Sequence, residues 1–177
     1  MSDNVIIHPF GRIDQHLVES VRYAVEQRFR VKASVGSRLE VPAKAFSRER
    51  GQYHSTVILQ FLSAIPGGEG EARLGILDVD LYVPSLNFVF GEASTRVAVF
   101  SLARLRWAPT GRKPDEAALL RRAITEAVHE LGHVWGLRHC TRRDCVMWFS
   151  NTLGETDRKG SEFCKRCAQE LLASRSC

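Results

Sequence analysis

The spacing H-E-x-x-H-x-x-G-x-x-H, running from His129 to His139, restricts what this chain can fold into more than any other feature. Residues four apart on an α-helix share a face, with Cβ atoms about 5–6 Å apart. His129 and His133 can therefore converge on one tetrahedral zinc ion, at Zn–N distances of about 2.0–2.1 Å. Glu130 falls one step round the helix, where its carboxylate stands beside the metal's open position as a base and not a ligand. Gly136, lacking a Cβ, can take the left-handed conformation that ends a helix, and the chain can then turn back to bring in His139 as third ligand. Three protein ligands leave a fourth position for water, which marks a catalytic rather than a structural site.

A helical wheel separates this reading from that of ordinary core histidines. Leu120, Ile124, Ala127, Val128, Leu131, Val134 and Trp135 fall in one apolar stripe, and His129 and His133 fall on roughly the opposite side. Coincidence is also a poor explanation. The bare H-E-x-x-H arises by chance in roughly 0.5% of chains this long, and the added Gly and His lower that by about three orders of magnitude.

The five cysteines all follow this segment. An odd number, in a chain whose first residues lack the basic and apolar regions of a signal peptide, argues against a disulfide framework and for a cytoplasmic protein. Cys140, Cys145, Cys164 and Cys167 form C-x4-C, eighteen residues, C-x2-C, which reads as a four-cysteine structural zinc site with Cys177 left over. Arg142, Arg143, Lys165 and Arg166 would offset its thiolate charge. A nucleic-acid-binding zinc knuckle is the other use of such a basic cluster, but stacking aromatics are sparse around it. The net charge of +5 is spread among acids and reads as a solvated surface. No apolar run reaches the ~20 residues of a membrane span.

The 177 residues suit one domain, divided into an N-terminal subdomain (1–136) that includes the active helix and a C-terminal subdomain (137–177) that is small enough to need its metal. Asn4 to His8 reads as a buried strand, Ile13 to Arg30 as an amphipathic helix and Val31 to Val35 as a second strand, parallel to the first. Gln52 to Ala64 reads as a helix that ends at Pro66-Gly67-Gly68, with His54 as a surface or capping residue. Arg73 to Val83, Leu86 to Phe90 and Arg96 to Leu102 read as strands, and the link between the last two is too short for both to be parallel. Leu86, Asn87 and Phe88, on a strand bounding a cleft, could pair with a substrate main chain. Pro114-Asp115-Glu116 opens the active helix.

With Met147 following, the extended histidine motif resembles that of the metzincin metallopeptidases. The run C-x4-C-x-M and then C-x2-C resembles one branch, the archaemetzincins, as do Arg50 to Tyr53, Asp78 to Ala93 and Ser101 to Leu105. One departure is visible: sixteen residues separate Met147 from Cys164, one fewer than in that family's pattern. The resemblance implies an α/β (α+β) fold: a twisted mixed sheet with helices in an N-terminal lobe, a cleft and a small zinc-stapled C-terminal lobe. It implies that His129, His133 and His139 hold a catalytic zinc, that Glu130 is general base and acid, and that Met147 lies structurally in a turn beneath the metal.

The expected activity is zinc-dependent hydrolysis of peptide bonds by a monomer, with two zinc ions per chain and a peptide or protein substrate. Trp148 and Phe149 are candidate walls of the pocket beside the scissile bond. The alternative is a zinc-binding protein of the same fold with little turnover, serving as a peptide- or nucleic-acid-binding module.

Overall fold

The computed structural model describes residues 4–68, 70–106 and 115–174; Pro114 and Cys177 lie outside them. Strand β1 (Asn4–Pro9), helix α1 (Gln15–Phe29) and strand β2 (Lys32–Val35) form the expected parallel pair with its crossover. The Asp14 carboxylate opens α1 by accepting from the Leu17 N–H, and Arg30 closes it in a left-handed conformation (φ 51°).

The stretch Gln52 to Ala64 divides. Strand β3 (Phe46–Ser47) pairs with β4 (Gln52–His54), and helix α2 (Ser55–Ser63) begins only after His54, which precedes the helix without a side-chain cap and stacks on Tyr82. The single strand expected over Arg73 to Val83 is also two: β5 (Glu71–Leu77) and β6 (Leu81–Tyr82), which belong to different sheets. The break falls at Asp78-Val79-Asp80. Both carboxylates there turn outward to arginines, Asp78 to Arg106 and Asp80 to Arg104.

Leu86 to Phe90 is not a strand. Only Val89 makes a bridge, to Leu81, and the carbonyls of Leu86 and Asn87 accept from the side chains of Arg50 and Gln52 instead of from a ladder partner. The antiparallel partner of β8 (Val97–Ser101) is β7 (Gly91–Ser94), which begins just after Phe90. Gly91 and Glu92 fit no strand pattern, so β7 went unread.

The main sheet has the order β2-β1-β5-β8-β7, with β7 alone antiparallel; β3, β4 and β6 make a second, small sheet. Every residue of β8 is buried, as expected of a strand covered on both faces. Ala98 and Phe100 point into the core shared with α1 and with α3 (Glu116–Val134), while Val97 and Val99 point toward α2. That first core runs on without a break through Cys140, Val146, Met147, Leu153 and Leu171, so α4 (Leu153–Lys159) and α5 (Lys165–Ser174) pack as part of it. No helix among the described residues is long and apolar enough to cross a membrane.

Phe29 joins the two ends of the chain. Fully buried, it stacks on Trp135 at 4.6 Å between ring centroids and meets Phe163 edge-on at 5.5 Å. Phe29→Ala is expected to cost about 3–5 kcal/mol, measured as a fall in the urea midpoint with unchanged slope; a loss under about 1 kcal/mol would show that the ring contributes no more than surface packing.

Candidate metal centre and its cleft

Helix α3 starts where the Asp115 side chain accepts from the Ala118 N–H, and it runs to Val134. It is buried on both sides, which the wheel did not anticipate. Leu119, Ala123, Ala127, Val128 and Leu131 face the core, and Glu126, His129 and Glu130 are buried as well. The C-terminal segment covers Glu126 and His129, through Lys159 and Val146, while Gly91 at the head of β7 closes on Glu130. Gly136 takes the anticipated left-handed conformation (φ 84°), with Gly136 N–H bonded to the His133 carbonyl and Leu137 N–H to that of Gly132.

After that turn His139 comes back beside the helix. The ring centroids of His129, His133 and His139 lie 4.7, 5.4 and 4.8 Å apart pairwise, and one ligand atom from each falls within 4.8 Å of the others. His129 Nδ1 is 2.7 Å from the Val146 carbonyl and His133 Nδ1 is 2.8 Å from the Leu137 carbonyl. A carbonyl can only accept, so each Nδ1 carries the proton and each Nε2 keeps its lone pair. Those two Nε2 atoms are 3.2 Å apart with no proton to share. Two nitrogens on one tetrahedral zinc stand about 3.3 Å apart when each bond is about 2.0–2.1 Å. The three imidazoles thus fit zinc in spacing, and His129 and His133 fit it in tautomer as well.

Burial pushes the His129 imidazole well below its ordinary pKa, with the Lys159 ammonium adding to the effect; burial likewise lowers His133 and His139. All three shifts favour the neutral form that binds metal. Glu130 moves the other way. Burial raises its pKa well above the carboxylate range, Glu126 and Glu92 push in the same direction, and Lys159 opposes them. Glu130 lines a cavity of about 310 Å3 with His129, Phe88, Gly91, Phe149 and Asn151. Leu86 and Asn87 line the same cavity. Trp148 does not: its ring lies 5.9 Å beneath the Arg143 guanidinium. A neighbouring cavity of about 520 Å3 shares Phe88, Phe90 and Asn151 and extends the cleft toward Arg104 and Leu153.

Two glycines permit the close approaches that shape the site. A Cβ on Gly91 would stand 2.6 Å from Glu130 Oε1, and one on Gly132 would stand 2.4 Å from Met147 Sδ. Met147 is fully buried against α3 there, in the turn closed by the Trp148 N–H bond to the Cys145 carbonyl. Gly91, Gly132, Glu126 and Lys159 were not singled out in the sequence. Only Glu126, one helical turn before Glu130, carried a readable signal.

The four cysteines also converge, their sulfurs all within 4.8 Å of one another and Cys140 Sγ 3.8 Å from Cys164 Sγ. Two sulfurs on one tetrahedral zinc at about 2.3 Å stand about 3.8 Å apart, so this group fits zinc as well. Backbone N–H groups support the thiolates: Arg142 N–H points to Cys140, and Cys164 N–H to Cys145. The Cys167 N–H draws the Cys164 thiol down to about 7. Of the basic residues expected to balance the charge, Arg166 reaches Cys140 Sγ at 3.3 Å, whereas the Arg142 guanidinium pairs with Asp144.

Comparison with known proteins agrees with this geometry. Residues 5–173 match Peptidase family M54. Archaemetzincin of Methanocaldococcus jannaschii is 37% identical over 94% of this chain and 92% of its own length. The crystal structure of archaemetzincin from Methanopyrus kandleri superposes with a TM-score of 0.88 at 37% identity, covering 99% of this chain and 96% of that one. A zinc-dependent peptidase from Methanocorpusculum labreanum superposes with a TM-score of 0.85 at 28% identity, covering 94% and 99%.

The imidazole shifts set a pH dependence for the metal-free protein. The unfolded histidines titrate near 6.5 and the folded ones lower, so below 6.5 the unfolded chain binds more protons. The stability they contribute is present above 6.5 and is lost as pH falls through the folded values. Glu130 works in the opposite sense, regaining stability as pH falls toward 4.5. In a Glu130→Gln background, where only the imidazoles oppose each other's charge, protein relieved of the triad ion alone is expected to lose urea resistance as pH falls below 6.5; a flat or rising profile would contradict the assigned burial.

Proposed function

The chain belongs to peptidase family M54, the archaemetzincins, and from that premise we propose that His129, His133 and His139 hold the zinc of a peptidase centre in which Glu130 moves the proton. It is a zinc-dependent metallopeptidase, and its substrates are peptides. The observation that carries the residue assignment is the convergence of three imidazoles, two of which give their Nδ1 protons to backbone carbonyls, beside a buried carboxyl that lines the same cavity as His129.

His129, His133 and His139 would hold the zinc, which would supply Lewis-acid chemistry toward water and the scissile carbonyl. The chain's own groups do the rest. Glu130 lines the cavity beside His129; as the carboxylate it takes a proton from the attacking water and, as its acid, returns it to the leaving amine nitrogen. Phe149, whose ring centroid is 4.8 Å from that of His139, and Phe88 and Phe90 give the cavity beside the triad apolar walls.

An extended substrate lies along β7, the terminal strand of the five-stranded sheet, whose first residue Gly91 lines the cavity. The Leu86 and Asn87 carbonyls are less available to a substrate, since Arg50 and Gln52 already donate to them. Leu86, Asn87 and Phe88 then contribute side-chain surface to the rim. Trp148 has no place in this cleft, and Phe149 does.

We assign a second, structural zinc to Cys140, Cys145, Cys164 and Cys167, giving two ions per chain, and we place the division between subdomains at the Gly136 turn. Met147 acts as packing beneath the triad.

Two outcomes test this reading. Glu130→Ala should keep two zinc ions per chain by elemental analysis while peptide hydrolysis falls by about 10²- to 10⁴-fold; full activity in that variant would defeat the role given to Glu130. Stripping the four-cysteine ion should unfold residues 137–174 first, since comparable small sites draw about 10–16 kcal/mol from their metal. Hydrogen exchange should show that loss there before it reaches β1, β5 and β8, and uniform loss would count against a separately stapled segment.

A further inference from the structure

One buried charged group takes no part in the hydrolytic reading. Lys159, the last residue of α4, has a side chain with no exposed surface, and its ammonium lies 3.3 Å from Glu126 Oε1, 3.4 Å from the Trp148 carbonyl and 3.4 Å from His129 Nδ1. The Glu126 carboxylate, also buried, accepts in addition from the Thr156 hydroxyl at 3.3 Å, and that hydroxyl stands 3.1 Å from Ser150 Oγ. Three stretches of chain meet at this point: α3, the turn that carries Met147, and α4.

Fold stability is a weak reason for such a pair. Desolvating two ions costs several kcal/mol each, and well-packed apolar replacements of buried pairs are often neutral or stabilising. An ammonium beside a metal ligand is a further cost, because it repels a divalent cation. Its position accounts for its presence. His129 Nδ1 already gives its proton to the Val146 carbonyl, so the hydrogen bonds of Lys159 go to Glu126 and Trp148. Glu126 is one turn before His129 on α3, and Trp148 is two residues after Val146. Lys159 therefore grips both the helix that carries the ring and the turn whose carbonyl orients it.

We propose that Lys159 and Glu126 are a positioning couple that fixes the Met147 turn against α3 and so aims His129 Nε2 at the metal. Glu126 also neutralises the ammonium, which makes its place beside a cation tolerable. The inference rests on the triad being a zinc site. Orienting partners one layer behind a metal ligand typically account for 10- to 100-fold in metal affinity, and that is the size expected here.

The test uses the full chain as wild type, Lys159→Met, Glu126→Gln and the double variant. Zinc affinity at each site is measured by chelator competition, and each site is observed by cadmium-113 NMR, whose shift separates nitrogen from sulfur donors. Each single variant should bind metal 10- to 100-fold more weakly at the triad and shift the nitrogen-site resonance, with the sulfur-site resonance in place. The double variant should lose less than the product of the two single effects, because the charge left bare in each single variant is then gone. Unchanged triad affinity and an unmoved nitrogen-site resonance would overturn the proposal even if the melting temperature fell. Should Lys159→Met not fold, shown by a missing sulfur-site resonance, Lys159→Gln keeps an N–H donor for Trp148 and decides by the same readings. Failure of the wild-type triad to take metal would overturn the zinc reading itself, a different result from equal affinity in wild type and variants.

Discussion

The hydrogen bond from His129 Nδ1 to the Val146 carbonyl makes the metal centre depend on the rest of the structure. His133 is oriented locally, by a carbonyl four residues on at Leu137, but the partner of His129 lies seventeen positions away. A net contribution of about 0.5–1.5 kcal/mol is ordinary for one such bond. Its effect on geometry is larger, because an imidazole turned a few tens of degrees points its lone pair elsewhere. The centre is therefore incomplete until the C-terminal segment has returned over α3. Cys140 and Cys145 bracket the loop, the Cys140 N–H is bonded to the Met147 carbonyl, and Val146 directly follows Cys145. One stretch of chain thus carries two of the four clustered sulfurs and supplies the carbonyl that orients one of the three clustered imidazoles.

Folding a segment back over the active helix buries polar groups, and those groups are all partnered: among the described residues no buried side-chain nitrogen or oxygen lacks a hydrogen bond. The close approach also needs room. Gly132, in the last turn of α3, costs at most the about 0.8–1.0 kcal/mol of a helix-interior glycine relative to alanine, and the missing Cβ is what admits Met147 Sδ to the helix. Gly91 does the same for Glu130 at the head of β7. Both glycines trade local propensity for contact at the site, as expected where function and local preference conflict.

The histidine and cysteine clusters were legible in sequence because their intervals are those that metal geometry would dictate: four residues along a helix, a glycine turn, paired cysteines. The parallel β1-α1-β2 unit was readable for a similar reason, since its apolar residues repeat at helix and strand periods. The rest was hidden where side chains, not ladders, hold the backbone. Leu86 to Phe90 has the composition of a strand, yet Arg50 and Gln52 hold its carbonyls and Arg104 lies 4.1 Å over the Phe88 ring. Those partners lie 16 to 36 residues away, and no local pattern records them. The same holds for α4 and Lys159, whose buried partners are on another helix. A wheel drawn for α3 alone could not show that its polar side would be covered.

The segment between Met147 and Cys164 is one residue short of the pattern the family resemblance implies, and the structure limits where that residue is missing. Leu153, Thr156 and Lys159 are the buried positions of α4, at intervals of three. Asp157 pairs with Arg122 on α3 and Lys159 with Glu126 on the same helix. Removing a residue within α4 would turn all that follows by about 100° and carry Lys159 away from Glu126. Its start is equally fixed, since Thr152 and Glu155 cap each other's backbone reciprocally. The shortening therefore falls on a connection, residues 148–151 or 160–163, and both are held from outside. Trp148 bridges to Cys140 and its carbonyl faces Lys159, Ser150 meets Thr156, and the Asn151 N–H is bonded to Glu155. On the other side the Val146 N–H is bonded to the Glu162 carbonyl and Arg28 reaches both Ser161 and Glu162.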